Sequence, residues 1–279
     1  MRTAKAFAKV NLGLVVGARR PDGKHELVTV LQRIDLHDDI GLESGDELAV
    51  EGFPDDTIVR RALELLASET GVELRWRVQI EKRIPVAAGL GGGSADAAAA
   101  LELANAGLDA PLGLDELHRL AAEVGADVPY FLRSGSQLAT GDGTEMTPVQ
   151  LPTDYGVVVV VPNGVVKTST RAVYDTFDER DGAPGFDARA EELTKALRSV
   201  TTARDLAALP ANDLAASPIA DELRRAGAFR ADVSGAGPAV YALFEHHSEA
   251  ERAASDFVSR GTTFVTRPLE ADDLPRVAR

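Results

Sequence analysis

Apolar and polar positions alternate from Val10 to Val16, with Val10, Leu12, Leu14 and Val16 set against Asn11 and Gly13. A period of two predicts a strand with one buried face, and it puts Lys9 and Asn11 together on the other. The same period runs through Leu74, Trp76, Val78 and Ile80 against Arg75, Arg77 and Gln79, predicting a half-exposed strand. Less regular strands are expected over 27–35 and 47–52. Between these segments Ile58, Val59, Ala62, Leu63, Leu65 and Leu66 recur at helical spacing behind the cap candidates Asp56 and Thr57, and Gly71 supplies the stop.

Ser94 is placed to cap a helix running to Asn105 and closed by Gly107, and a further helix is expected over 114–124, closed by Gly125. The unbroken apolar stretch from Tyr155 to Val161 predicts a buried strand. The segment before it, with Pro148, Pro152, Thr153 and Asp154, predicts a boundary that divides the chain into units 1–152 and 153–279. Beyond it helices are expected over 187–200 and 217–226, the second opened by Ser217 and Pro218. A strand over 239–244, a helix opened by a capping box of Ser248 with Glu251 and ending near Arg260, and a strand over 262–267 complete the pattern. Helices and strands mix without a βαβ rhythm, which predicts the α+β class.

Charge narrows the partners. A net charge of −14 over 279 residues excludes sequence-independent binding to nucleic acid or to an anionic membrane, because those surfaces need clustered Lys and Arg. An anionic ligand must therefore meet a local positive potential. The absence of Cys excludes disulfides, thiolate metal sites and cysteine nucleophiles, and it fits a reducing compartment. Lys9 and Asn11 interrupt the apolar stretch near the N-terminus, where a secretory core needs about 7–15 residues, so the cytoplasm is the expected location.

Four segments carry candidate chemistry. In GLGGGS, Gly89, Gly91, Gly92 and Gly93 stand just before a predicted helix start, so the backbone can turn sharply and aim N–H groups at an anion. Pro85 fixes the approach to this loop, Ala95 and the alanines after it pack behind, and the Ser94 hydroxyl can reach a phosphate or a magnesium ion. The sequence lacks the Lys of a Walker A loop and the third Gly of a dinucleotide fingerprint. A bare glycine loop with a cap remains the alternative. The turn VSGAGPAVYALF over 233–244 precedes a strand, and by itself reads as a tight turn. In GADVPYF, Asp127 follows a helix stop and precedes Pro129, leaving either a constrained carboxylate or an Asx turn. Lys9, by itself, reads as a solvated edge charge.

Together these segments resemble the GHMP kinases over nearly the whole chain. AKVNLGLVVGARRPDGKHEL at 8–27 is similar to the opening motif of those that phosphorylate the 2-hydroxyl of 4-diphosphocytidyl-2-C-methyl-D-erythritol, a step of non-mevalonate isoprenoid synthesis. IPVAAGLGGGSADAAAAL resembles the ATP-phosphate motif, GADVPYF the catalytic-aspartate motif, and NDL at 212–214 with SGAGPAVYALF the C-terminal signature. The resemblance implies a two-domain α+β fold, ribosomal-S5-like in its N-terminal domain and ferredoxin-like in its C-terminal one. It implies ATP and Mg²⁺ as cofactors, Asp127 as the acceptor of the hydroxyl proton, and Lys9 as the cation that keeps Asp127 ionised and stabilises the moving phosphoryl group.

By the same resemblance Pro85, Gly89, Gly91, Gly92, Gly93, Ser94 and Ala95 hold ATP, with Ser94 the candidate metal ligand. Asn11 positions the substrate hydroxyl or Asp127, His25 reads the cytosine edge, Thr170 contacts the substrate and Tyr174 stacks on its base. The family usually has Tyr before this His, forming the other wall of a base sandwich, whereas here Lys24 stands; its stem can cover the ring with its ammonium turned to the diphosphate or to solvent. The implied partner is a small-molecule substrate, with no nucleic acid and no membrane, in a monomer or homodimer. The alternatives are a GHMP kinase for a sugar, homoserine or a mevalonate derivative, or a nucleotide-binding relative without catalysis.

Overall fold

The computed structural model describes residues 1–53, 55–165 and 169–271. The first half runs β1 (Arg2–Arg19), β2 (His25–Ser44), β3 (Ala49–Glu51), α1 (Ile58–Thr70), β4 (Trp76–Glu81), α2 (Gly92–Asn105), α3 (Leu114–Val124), α4 (Val128–Phe131), β5 (Ser136–Thr140) and β6 (Glu145–Val149). These strands form one sheet. β1 lies antiparallel along β2, whose other edge is divided between β5, at Thr29–Leu31, and β4, at Asp39–Ser44. β3 then pairs parallel with β4, and β6 antiparallel with β5.

The second half runs β7 (Gly156–Pro162), α5 (Thr170–Glu179), α6 (Phe186–Arg198), a 3₁₀ turn (Ala203–Ala208), α7 (Pro218–Arg225), β8 (Arg230–Val233), β9 (Val240–Phe244), α8 (His247–Phe257) and β10 (Gly261–Thr266). Its four strands lie in the order β10-β7-β9-β8, all antiparallel. A strand, helices, two strands, a helix and a strand in that order give the expected ferredoxin-like arrangement. Residues 272–279, at the end of the expected second unit, lie outside the described residues.

Local signals explain most element ends. Asp56 accepts from the N–H groups of Val59 and Arg60 and so caps α1, while Gly71 closes it in the left-handed conformation with φ 71°. Glu116 caps α3 by accepting from Gly113 N–H at 2.9 Å, and Ser217 caps α7. Three expectations need correction. Ser94 is not a cap: α2 begins at Gly92 behind Gly91, whose φ of 73° is open to glycine, so Ser94 lies inside the first turn. α8 is opened by His246 with Glu249, which accepts from His246 N–H, and not by Ser248 with Glu251, because the chain enters the helix two residues earlier. β1 is buried on both faces from Ala6 to Val16, because the second half of the chain packs on Val10 and Leu12 while Lys9 and Asn11, on the face expected to be open, are enclosed by the glycine-rich loop and the Ser234–Gly235 turn.

That covering is a shared core. Ala8, Val10, Leu12 and Val15 of β1 and Val28, Val30 and Ile34 of β2 pack in one cluster with Tyr155, Val157 and Val159 of the second half and with Tyr241 and Leu243 of β9. A separate core lies under α1, α2 and α3, where Ala97 to Leu101 are buried on all sides of α2. Small side chains let this helix sit close against the sheet, so that its N-terminus is held at the end of the strands. Among the described residues no helix is long and apolar enough to cross a membrane.

Candidate active site

Two irregularities in the β1–β2 ladder flank Lys9 and Asn11: the register shifts between Phe7 and Lys9 and again between Asn11 and Gly13. Bulges re-aim side chains. Here the Lys9 ammonium, buried to 3% exposure, donates to Asn11 Oδ1 at 2.6 Å and to the Gly89 carbonyl at 3.2 Å, and it stands 3.6 Å from Asp127 Oδ2. Asn11 is fixed in turn, its Nδ2 donating to Thr29 Oγ1 at 2.9 Å, which donates to the Gly13 carbonyl. Lys9 is thus no edge charge.

Asp127 precedes α4 but makes no side-chain cap bond to it, and its side chain is 46% exposed. The Asx-turn reading fails. The carboxylate faces the cleft, with the Lys9 ammonium 3.6 Å away. Its short helix is held from behind by Arg33, which donates to the carbonyls of Tyr130 and Phe131 at 3.1 and 2.6 Å.

The glycine-rich segment stands at the same point. Lys9 N–H donates to the Leu90 carbonyl at 2.9 Å, so the loop is tied to the strand that carries the lysine. Ala95 N–H is bonded to the Gly91 carbonyl, which leaves the N–H groups of Gly92, Gly93 and Ser94 without acceptors inside the helix. With the dipole of a 14-residue helix behind them, they form an anion cradle that fits nucleotide phosphates. A magnesium ion bound with a nucleotide takes most of its ligands from phosphate and water. Among the described residues no cluster of three His, Asp or Glu exists to hold one otherwise, and the Ser94 hydroxyl in the cradle is a hard oxygen donor suited to it.

The second glycine turn closes over this point, a role that sequence reasoning had not assigned. Ser234 Oγ donates to the Gly89 carbonyl at 2.9 Å, and Ala239 N–H donates to the Ala88 carbonyl. A Cβ on Gly235 would stand 3.3 Å from Lys9 Nζ and 3.2 Å from Asn11 Oδ1, so the turn approaches the lysine as closely as backbone can. Asn212 holds the turn from outside by donating to the Val233 and Gly235 carbonyls. The NDL and SGAG segments were visible as motifs; their mutual contact was not.

Lys9, Asn11, Gly89 to Ser94 and Asp127 line a cleft of about 990 Å³, with Pro85 at its edge. Ala95 is buried behind it in α2. His25, Thr170 and Tyr174 line the same cleft farther along the ladder, where His25 pairs with Arg19 while Lys9 pairs with Arg33. The Tyr174 ring lies 4.7 Å from that of His25, tilted by 31°, and Phe177 packs edge-on behind His25. Burial pushes the Tyr174 phenol up to about 12, and the Asp127 charge adds to it, so this ring stays neutral. His25 Nε2 is 2.8 Å from Asp178 Oδ1, a contact that holds the Asp178 carboxyl below its usual range. Thr170 is the first residue of α5 and is exposed. The Lys24 ammonium meets Asp142 Oδ2 at 2.5 Å, and the lysine side chain is 49% exposed.

A second charged group beside the loop had no signal in the sequence. Lys82 donates to Asp38 at 2.6 Å and to Asp96 at 2.8 Å, and both carboxylates are buried. Asp38 also accepts from the N–H groups of Arg83 and Ile84. The group ties α2 to β2 and to the segment after β4.

Comparison with known proteins identifies the family. The GHMP kinases N terminal domain model matches residues 57–135, and the GHMP kinases C terminal model matches 203–262. The chain is 40% identical to a 4-diphosphocytidyl-2-C-methyl-D-erythritol kinase of Kineococcus radiotolerans, over 91% of this chain and 85% of that protein. It is 34% identical to one of Prosthecochloris aestuarii, over 90% and 92%. A crystal structure of 4-(cytidine 5'-diphospho)-2C-methyl-D-erythritol kinase superposes with a TM-score of 0.78 at 32% identity, covering 95% of this chain and 98% of the other. A mevalonate kinase structure superposes at 0.74 with 14% identity, a likeness of fold alone. With both halves matched and relatives this similar along nearly their full length, the chain belongs to the GHMP kinases, in the family of 4-diphosphocytidyl-2-C-methyl-D-erythritol kinases.

Proposed function

We propose that this kinase transfers the γ-phosphoryl group of ATP to the 2-hydroxyl of 4-diphosphocytidyl-2-C-methyl-D-erythritol, giving the 2-phosphate and ADP. The observation that carries this reading is the approach of Lys9 to Asp127, at 3.6 Å, beside the free N–H groups that open α2. The transfer forms one O–P bond to the acceptor, breaks one O–P bond to ADP and releases one proton, which Asp127 accepts. Lys9, oriented by Asn11 and the Gly89 carbonyl, offsets the charge of the carboxylate and of the transferring group. Gly89 to Ser94 would hold the phosphates, and the Ser94 hydroxyl would be a ligand for a magnesium ion, which would supply further charge neutralisation. Tyr174 and His25 hold the cytosine, and Thr170 the edge of the acceptor. The units 1–152 and 153–279 contribute the two sides of the cleft, and the cytoplasm, where ATP is supplied, is the site of action.

The test is ADP release with ATP, Mg²⁺ and the diphosphocytidyl compound, set against homoserine, galactose and mevalonate as acceptors. Turnover of the diphosphocytidyl compound is expected; its absence in folded protein, or preference for another acceptor, overturns the reading. Asp127→Asn is expected to lower kcat by about 10²–10⁴-fold, the range for loss of a general base, with ATP still bound. Persistent turnover in this variant assigns the proton to another group.

A further inference from the structure

The far part of the cleft is rich in cations that are already engaged. Arg19 is held by Asp175 at 3.0 Å and by Asp178 at 2.9 Å, and Lys82, near the phosphate loop, is committed to Asp38 and Asp96. The Lys24 ammonium meets one carboxylate among the described residues, Asp142, on the turn between β5 and β6, and Arg171, which also lines the cleft, stands 3.9 Å from Asp175. The lysine side chain is 49% exposed and flexible by its chemistry, whereas Asp142 is only 16% exposed and is pinned by the N–H and hydroxyl of Thr144. Both residues line the cleft next to His25. Partial burial works against ionisation of Asp142, yet the Lys24 and Thr144 hydrogen bonds hold its carboxyl down at about 2, so it carries a full charge at neutral pH.

An acceptor with its hydroxyl at Asp127 and its base at Tyr174 must thread its diphosphate between them, through a cleft in a protein of net charge −14. At the wall of this cleft the Lys24 ammonium is bound to Asp142, so it meets phosphate oxygens only when that ion pair opens. We propose that Lys24 is a specificity-determining residue for the diphosphate of the acceptor, that Asp142 holds its ammonium in reserve, and that binding exchanges the carboxylate for the phosphate oxygens. This inference rests on the acceptor reading above. It makes Asp142 an antagonist of acceptor binding: the pair discriminates by charge, because a ligand without phosphates leaves the ion pair as it is.

The experiment is a double-mutant cycle on binding, with cytidine 5′-diphosphate and cytidine as paired probes and Lys24→Met, Asp142→Asn and the double variant as proteins. Asn at 142 keeps the oxygen that the Thr144 turn requires. Lys24→Met is expected to weaken the diphosphate about two- to fivefold, the scale of one exposed charge contact, and to leave cytidine unchanged. Asp142→Asn is expected to tighten the diphosphate by a similar factor, and the gain is expected to vanish in the double variant. Equal losses for both probes, or a gain at Asp142→Asn that persists without Lys24, overturn the proposal. Failure of the acceptor reading is seen separately, in absent turnover by the unmodified enzyme, whereas failure of this inference leaves that turnover intact.

Discussion

The carbonyl oxygen of Ser234 fills the space beside Gly89 that any side chain there would enter, so that a Cβ on Gly89 would overlap it. Gly89 also has φ of 88°, a conformation that costs an L residue roughly 1–2 kcal/mol. Gly89→Ala is therefore expected to lose at least about 2 kcal/mol of stability and to raise the KM for ATP, because relief requires moving one glycine turn off the other. Gly113, at φ −70° with only an ordinary 3.6 Å contact to Glu116, is the control: Gly113→Ala is expected to stay within about 0.5 kcal/mol. Urea unfolding of the two variants with ATP titration checks both.

Arg33 is buried to 5% exposure, and its guanidinium also lies 5.2 Å from the Tyr130 ring and 5.7 Å from the Phe131 ring. Arg33→Met keeps apolar bulk but removes the donor to the Phe131 carbonyl at the end of the helix that follows Asp127, while the Tyr130 carbonyl keeps the Arg133 N–H at 3.1 Å. A loss of about 1–3 kcal/mol is expected, the cost of a buried acceptor without its donor. If Arg33 positions Asp127, kcat falls while the dissociation constant of ATP barely moves. A parallel change in both, in a steady-state and equilibrium comparison, assigns it to the general framework.

Burial pushes the Asp96 carboxyl up to about 8, and the charge of Asp38 adds to this while Lys82 opposes it. The folded protein thus keeps a proton there that the unfolded chain, with an ordinary value of 3.8, gives up. More protons bound in the folded state means that stability falls as pH rises from about 4 to about 8, by no more than about 1.4 kcal/mol per pH unit, and is flat above. Glu102, raised by burial to about 7 against the pull of Arg33, slopes the same way. Asp96→Asn is expected to make the dependence shallower and to leave the Glu102 part. Unfolding curves of both proteins across this range measure the difference, and identical slopes contradict the assignment.

The element pattern was legible where burial is one-sided and caps are local. α1, α3 and α7 stand where the Asp56, Gly125 and Ser217 signals put them. β5, β6 and β8 were not foreseen: short strands such as Ser136–Thr140 take their conformation from pairing with β2, which no local period announces. Ser94 was misplaced because a hydroxyl is a better cap than glycine in general, whereas here backbone chirality at Gly91 decides. Lys9, Asp127 and the loop were legible as motifs, but Thr29, Arg33 and the Lys82 group act through contacts between residues distant in sequence, and their side chains have no shared spacing to read.

β1 serves both sheets at once: its ladder with β2 carries Lys9, and the same strand's apolar side chains interlock with Tyr155 and Tyr241. Two lobes joined through the strand that bears the lysine cannot swing apart as rigid shells about a linker without tearing the core that supports the lysine. With one core shared between them, the two halves are expected to unfold in a single cooperative transition.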